Sequence, residues 1–257
     1  WLGMKGRYDK ALKVLLKTRS RPDAKKELEE IKRCLESERD PKTPKHSIFQ
    51  KRYIIPLCIV FSIGMLNQLT GINSFLQFSA IILQKSGLHS DIVAMLGSNA
   101  ITGLNFIMTV VAISLVDKIE RRTMISFGTA GICLALLYCG FIYWALPYGE
   151  LRGYLFLSGI LAFIFCYAVG PGALVWAIMS ELLPSKVRSS GLAIGLFLNS
   201  MASTVLAAQF LSLSGHIGYQ GVFWLCAGFT FIYFILAMRF IPKTKGLSLE
   251  QIEKKFI

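Results

Sequence analysis

Residues 67–73 read NQLTGIN, and they lie inside an uncharged run that extends from Tyr53 to Gln84. A helix needs ~20 apolar residues to cross the ~30 Å hydrocarbon core of a bilayer, and this run is longer than that. Yet it carries Asn67, Gln68, Thr70 and Asn73 near its middle. An amide side chain left without partners in hydrocarbon costs about 4–8 kcal/mol on cyclohexane scales. These groups therefore need one another, water or a solute.

Working outward, 54% of the 257 residues are hydrophobic and the mean hydropathy is +0.54. A soluble domain is about 45–50% apolar and does not hold such runs without charge. Six segments qualify as spans: 53–83, 92–116, 123–145, 154–179, 190–212 and 221–241. The fold class expected is an all-α membrane protein with six transmembrane helices. Flanking them are a cytoplasmic helical linker, 1–52, and a cytoplasmic tail, 242–257; the transmembrane part is 53–241.

The net charge of +13 is a matter of topology. Of 28 Lys and Arg, all but Lys85 and Arg152 fall at the termini or in the turns after the second and fourth spans. Basic residues concentrate on the cytoplasmic side of membrane proteins, so both termini are expected there, in a multi-pass protein of the cell membrane. Nucleic acid is not an expected partner; the lipid bilayer is. In the linker, RYDKALKVLLKT and DAKKELEEIKRCLESE have the spacing of two short amphipathic helices. The six cysteines are scattered without metal spacing, as small buried hydrophobes would be. The chain begins with Trp1, as a piece of something longer would.

The spans differ in polarity. At 100° per residue, Asn67, Thr70, Asn73, Ser74 and Gln77 share one face of the first. Gln68 lies off that face, so either it serves another neighbour or the helix unwinds at Gly71. The second span carries the stripe Ser98, Thr102, Asn105 and Thr109, and the fifth carries Asn199 and Ser203. The third and sixth carry no amide and one mid-span Thr each, Thr129 and Thr230, and read as lipid-facing supports. The fourth is broken by VGPGALVW, where Pro171 removes a backbone donor between Gly170 and Gly172. Spans 1–3 and 4–6 thus follow one order: interrupted, polar-striped, apolar. Interrupted segments at matching positions of two repeats point to a solute site near the midplane.

Single Ser and Thr side chains read as interhelical glue, at ~0.6 kcal/mol per hydrogen bond. The amides Gln68, Asn73, Asn105 and Asn199 read together as a site for a neutral polyhydroxyl molecule, with Trp176 as a stacking face. No Asp, Glu, Lys or Arg lies near the middle of a span, so no proton relay is visible. The three histidines lie outside the spans or at their rims, which argues against an enzyme, since acid–base and metal chemistry need such groups in the site. No cofactor and no metal site is expected.

At this point the motifs resemble a known family, the sugar porters of the major facilitator superfamily, in their C-terminal half. NQLTGIN resembles the run Q-Q-x-x-G-x-N of the seventh helix, and DKIERR the charged turn after the eighth. VGPGALVW followed by ELLPSKVR is similar to the tenth-helix break and the turn after it, and PKTKG to the end of the twelfth. The resemblance implies half of a twelve-helix fold whose missing N-terminal six-helix half is a partner. It implies transport of a monosaccharide or related polyol, with sugar contacts on Gln68, Asn73, Asn105, Trp176 and Asn199, and with Asn67 in place of the first Gln. It also implies a cytoplasmic charge latch on Arg121, Glu181 and Arg188, with Asp117 and Arg122 alongside.

Glu120 and Lys243 depart from the motifs, which have Gly and Glu there, and Ala168 and Ser200 stand where some members place Glu and Trp. The proton-binding carboxylate of the family's symporters lies in the first half, so symport and uniport both stay open, with protons a partner only through that half. Two other readings share the fold: a carrier for a non-sugar solute, such as a cyclitol or organic acid, and a non-transporting sugar sensor. An organic acid would want a mid-membrane Arg or Lys, which this half lacks.

Overall fold

The computed structural model describes residues 8–16, 24, 28–29, 51–88, 90–116, 118–183 and 187–241. The chain divides into two compact units, Trp1–Ser47 and Ile48–Ile257. In the first, helix α1 (Tyr8–Leu15) falls on the first of the two amphipathic stretches, with Asp9 in its first turn and Lys13 in its last. Those charges complement the helix dipole. Nearly all of the second stretch, and the tail 242–257, lie outside the described residues.

The second unit contains α2 (Lys51–Leu69), α3 (Ile72–Ser86), α4 (Asp91–Val116), α5 (Arg121–Ala145) and α6 (Glu150–Tyr167). A π-helical segment, Ala168–Gly172, leads into α7 (Ala173–Leu182), and α8 covers Arg188–Phe240. Every described element is helical. Among the described residues five stretches are long and apolar enough to cross a membrane, against six expected from the sequence. The difference lies in α8. At 1.5 Å per residue its 53 residues would extend ~80 Å, far beyond one bilayer. Its helix breaks at Gly218 (φ 73°, ψ 163°) instead, where a connecting loop was expected. Phe210 and Tyr219, on either side of the break, pack with ring centroids 6.4 Å apart, so the two arms fold back on each other.

Alternation gives the bundle two ends. At the near end, where α2 begins, Arg121 of α5 meets Glu181 of α7, and Arg122 donates to the Met238 carbonyl of α8. At the far end, Arg152 of α6 reaches the last carbonyls of α3. Two hydrophobic clusters lie between. The near one joins Val60 and Ile63 of α2 to Leu174 and Met179 of α7. The far one joins Phe75 of α3 to Phe156 and Phe163 of α6 and to Phe210 and Phe223 of α8. Both interrupted spans change cluster at their break.

In a bilayer, helices exchange contact with lipid tails for contact with one another, so close fit at small residues decides packing. Gly128 of α5 meets Gly170 at the π-segment: a Cβ on Gly128 would lie 2.6 Å from Gly170 Cα and 2.8 Å from the Cys166 carbonyl oxygen. Backbone cannot yield there as a flexible side chain could. Gly128→Ala is therefore expected to destabilise the bundle by about 1–3 kcal/mol, read as a lower melting temperature in detergent. Gly103→Ala, with nothing within 4 Å of the new methyl, should leave that temperature unchanged.

Thr129 and Thr230 donate to the carbonyls of Ile125 (2.8 Å) and Cys226 (2.8 Å), four residues back in their own helices. Among the described residues neither makes a hydrogen bond to another helix. α5 packs one side into both clusters and exposes Phe127, Leu134 and Phe141 on the other. The least enclosed span is α4. Among the described cysteines Cys58 is exposed, contrary to the expectation of buried thiols; Cys139 and Cys226 are buried.

Candidate solute site at two helix breaks

α2 ends because Gly71 turns left-handed (φ 90°), a conformation glycine takes without steric cost. Several local backbone groups stay paired across the turn. The Gly71 amide donates to the Gln68 carbonyl (3.0 Å), and Phe75 N–H restarts the ladder on the Gly71 carbonyl (2.9 Å). The Thr70 hydroxyl covers the Asn67 carbonyl at 2.7 Å.

That turn resolves the two readings of Gln68. On a straight helix Gln68 and Asn73 would point ~140° apart. Across the break, Asn73 Nδ2 donates to Gln68 Oε1 at 2.8 Å. Gln68 Nε2 donates in turn to Asn199 Oδ1 of α8 at 3.1 Å. Asn73 Nδ2 also reaches Ser203 Oγ at 2.9 Å. A chain of four polar side chains, Ser203–Asn73–Gln68–Asn199, thus crosses from the first interrupted span to the fifth. Gln68 and Asn199 are buried, and Asn73 is exposed at the mouth. Asn199 Nδ2 and Asn73 Oδ1, a donor and an acceptor, keep no partner among the described residues. Such a pair fits a hydroxyl, which both donates and accepts. An open groove lined by Asn73, Gln77, Phe78, Ser203 and Thr204 adjoins the chain.

The other expected contacts stand apart from this chain. Asn67 is buried and turns to the fourth span, donating to Tyr167 Oη at 3.3 Å, while its Oδ1 has no partner among the described residues. Asn105 of α4 is half-buried, and its amide makes no hydrogen bond among the described residues. Trp176 of α7 is exposed on the near side of the second break. That break combines Gly170 (φ −98°, ψ −105°) with Pro171 and Gly172.

At the near end, Arg121 Nη2 lies 3.1 Å from Glu181 Oε1. Glu181 Oε2, Arg121 Nε and Glu120 Oε1 are buried without a hydrogen-bond partner among the described residues. Arg188 is held by the Leu183 carbonyl through Nε and Nη2, both at 3.2 Å. Asp117 and Lys243 lie outside the described residues.

Two partners were missing from the sequence-derived site. Ser203 was visible as the residue one turn beyond Asn199. Tyr167 had no signal, because nothing in a one-dimensional pattern pairs it with a residue 100 positions earlier.

The family model described as "Sugar (and other) transporter" matches residues 1–256. The chain belongs to this family. It is 29% identical over its full length to "Major myo-inositol transporter IolT" of Bacillus subtilis, covering 54% of that protein. It is 29% identical over its full length to "Facilitated trehalose transporter Tret1" of Apis mellifera ligustica, covering 52% of that one. It shares its fold with the major facilitator proton:xylose symporter XylE bound to 6-bromo-6-deoxy-D-glucose, with a TM-score of 0.80 at 24% identity. All of this chain, and 54% of that one, is covered. The chain thus spans about half the length of each of these relatives. These relatives are carriers and not enzymes, and the chain is a multi-pass membrane protein.

Proposed function

We propose that this chain is one half of a carrier that moves a monosaccharide or related polyol by alternating access around the site at the two breaks. The observation that carries the reading is the chain Ser203–Asn73–Gln68–Asn199, which meets an open groove at Asn73 and Ser203. Relatives named for myo-inositol and trehalose favour a polyhydroxyl substrate. A complementary six-helix half completes the site, and Asn105 and Trp176 contribute to it from α4 and α7.

Both ends of the chain lie in the cytoplasm on this reading, by the charge bias, which makes the near end cytoplasmic. The Arg121–Glu181 pair, with Arg188 and Asp117, then forms the latch that closes the near end while the far end is open. The pair is mostly buried, at 26% and 18% side-chain exposure, and a contact that forms in one state and breaks in the other biases two states of nearly equal energy.

The test is uptake of labelled hexoses, pentoses and inositol by the full-length carrier in proteoliposomes, with and without an imposed pH gradient. Saturable uptake of at least one is expected. Asn105→Ala, which breaks no hydrogen bond among the described residues, should lower it at least tenfold. A response to the gradient would mark symport, and its lack facilitated diffusion. No uptake of any of them by folded, monodisperse protein would reject the substrate class.

A further inference from the structure

We propose that Arg152 ties α3 to α6, so that the far halves of the two interrupted spans move as one body while the near halves, α2 and α7, form another. The tie is built from several contacts. Arg152 is 9% exposed. Its Nε donates to the Ser86 carbonyl at 2.7 Å and its Nη2 to the Lys85 carbonyl at 3.0 Å. These are among the last carbonyls of α3, which a helix leaves without internal partners and which a cation suits. The guanidinium lies 4.5 Å from the ring centroid of Tyr143 and 5.1 Å from that of Tyr148. The same two tyrosines donate to the carbonyls of Lys85 (3.1 Å) and Gln84 (3.4 Å). The loop before α6 presses against the end of α3, where a Cβ on Gly87 would lie 2.1 Å from the Gly149 carbonyl oxygen.

The interior repeats the pairing. Phe75 of α3 meets Phe163 of α6 edge-to-face at 5.2 Å, inside the far cluster. α2 and α7 share the near cluster instead. Each interrupted span therefore has a joint where the helix is broken, at Gly71 or at Gly170–Gly172, and packs into a different cluster on its two sides. An anchored far pair would carry Asn73 relative to Gln68 whenever the joints bend. Arg152 is a positioning residue on this account, acting on the site through α3.

The tie itself stands on geometry; the coupled movement rests on the carrier reading. Spin labels at Ile81 and Leu151, both exposed, report the far pair, and labels at Ile55 and Leu151 report across the joints. Distances are measured in the full-length carrier in nanodiscs, with the native cysteines replaced by alanine. Without sugar, the 81–151 distribution should be narrow, and Arg152→Gln should broaden it at least twofold. Arg152→Lys, which keeps the charge but loses the two-pronged contact, should fall between. Tyr143→Phe, which keeps the ring under the guanidinium and removes one hydrogen bond, should broaden it less, and it carries the comparison if Arg152→Gln does not fold. A saturating transported sugar should shift the 55–151 distance and leave 81–151 in place. Equal widths in wild type and variants would overturn the tie, and an 81–151 shift as large as the 55–151 shift would overturn the joint movement. Should no sugar be carried, the carrier reading fails by uptake while the sugar-free comparison still decides the tie.

Discussion

Gln68→Ala is expected to lower kcat/KM for the transported solute about 100-fold. Gln68 is the middle link of the polar chain, accepting from Asn73 and donating to Asn199. Its removal leaves both amides without that partner, and stranding the buried Asn199 costs ~1–3 kcal/mol. A loss near 2.7 kcal/mol corresponds to 100-fold at 1.4 kcal/mol per decade. Initial rates of uptake over a concentration series measure it, with helical content by circular dichroism as the control for folding. Gln68→Glu keeps the acceptor for Asn73 and loses the donor to Asn199 Oδ1, so it should fall between wild type and alanine. Uptake within threefold of wild type for Gln68→Ala would show that the chain is glue between helices and not the solute site.

Gly71→Ala should have the next largest effect, and it acts through the backbone. At φ 90° an L-residue is strained by ~1–2 kcal/mol, and the new Cβ would stand 2.6 Å from Phe75 Cε2 and 2.9 Å from Cζ. Phe75 cannot swing aside, because its ring is held by Phe163, Phe210 and Phe223 at 5.1–5.7 Å. Overpacking of this kind adds ~1–3 kcal/mol. Thermal unfolding in detergent should show a clear drop in midpoint, and uptake should fall at least tenfold because Asn73 no longer meets Gln68. Gly64→Ala, seven residues earlier in α2, is the contrast. Its Cβ would meet the Gly195 carbonyl oxygen and Met179 Cε at 3.4 Å each, ordinary contact distances, so a midpoint close to wild type is expected. Equal effects at the two positions would show that the left-handed turn at Gly71 has no special part.

Much of this was legible in one dimension, for a reason that holds residue by residue. Charge is costly in hydrocarbon wherever the helices end up, so uncharged runs such as 53–84 mark the spans without knowledge of their neighbours. Pro171 cannot donate to a helix ladder in any context, so the second break was legible too. The first was not decided: Gly71 permits φ 90° but does not require it, and only the packing of Phe75 against three other aromatic residues selects it. The same limit applies to α8, where the sequence implied a connecting loop and the structure needed one bent residue, Gly218.

The amino-acid sequence by itself determined that the chain is a helical membrane protein with a break at Pro171 and amides in its apolar interior. Those properties follow from the transfer cost of each side chain and the hydrogen-bonding capacity of each backbone unit, which are local. Only the tertiary structure decided which amides meet. It joined Gln68 to Asn73 across a turn and to Asn199 across 131 residues, gave Asn67 to Tyr167, and closed the end of α3 with Arg152. Hydrogen bonds form within about 3 Å, and distances of that size between helices are set by the packing of all of them together.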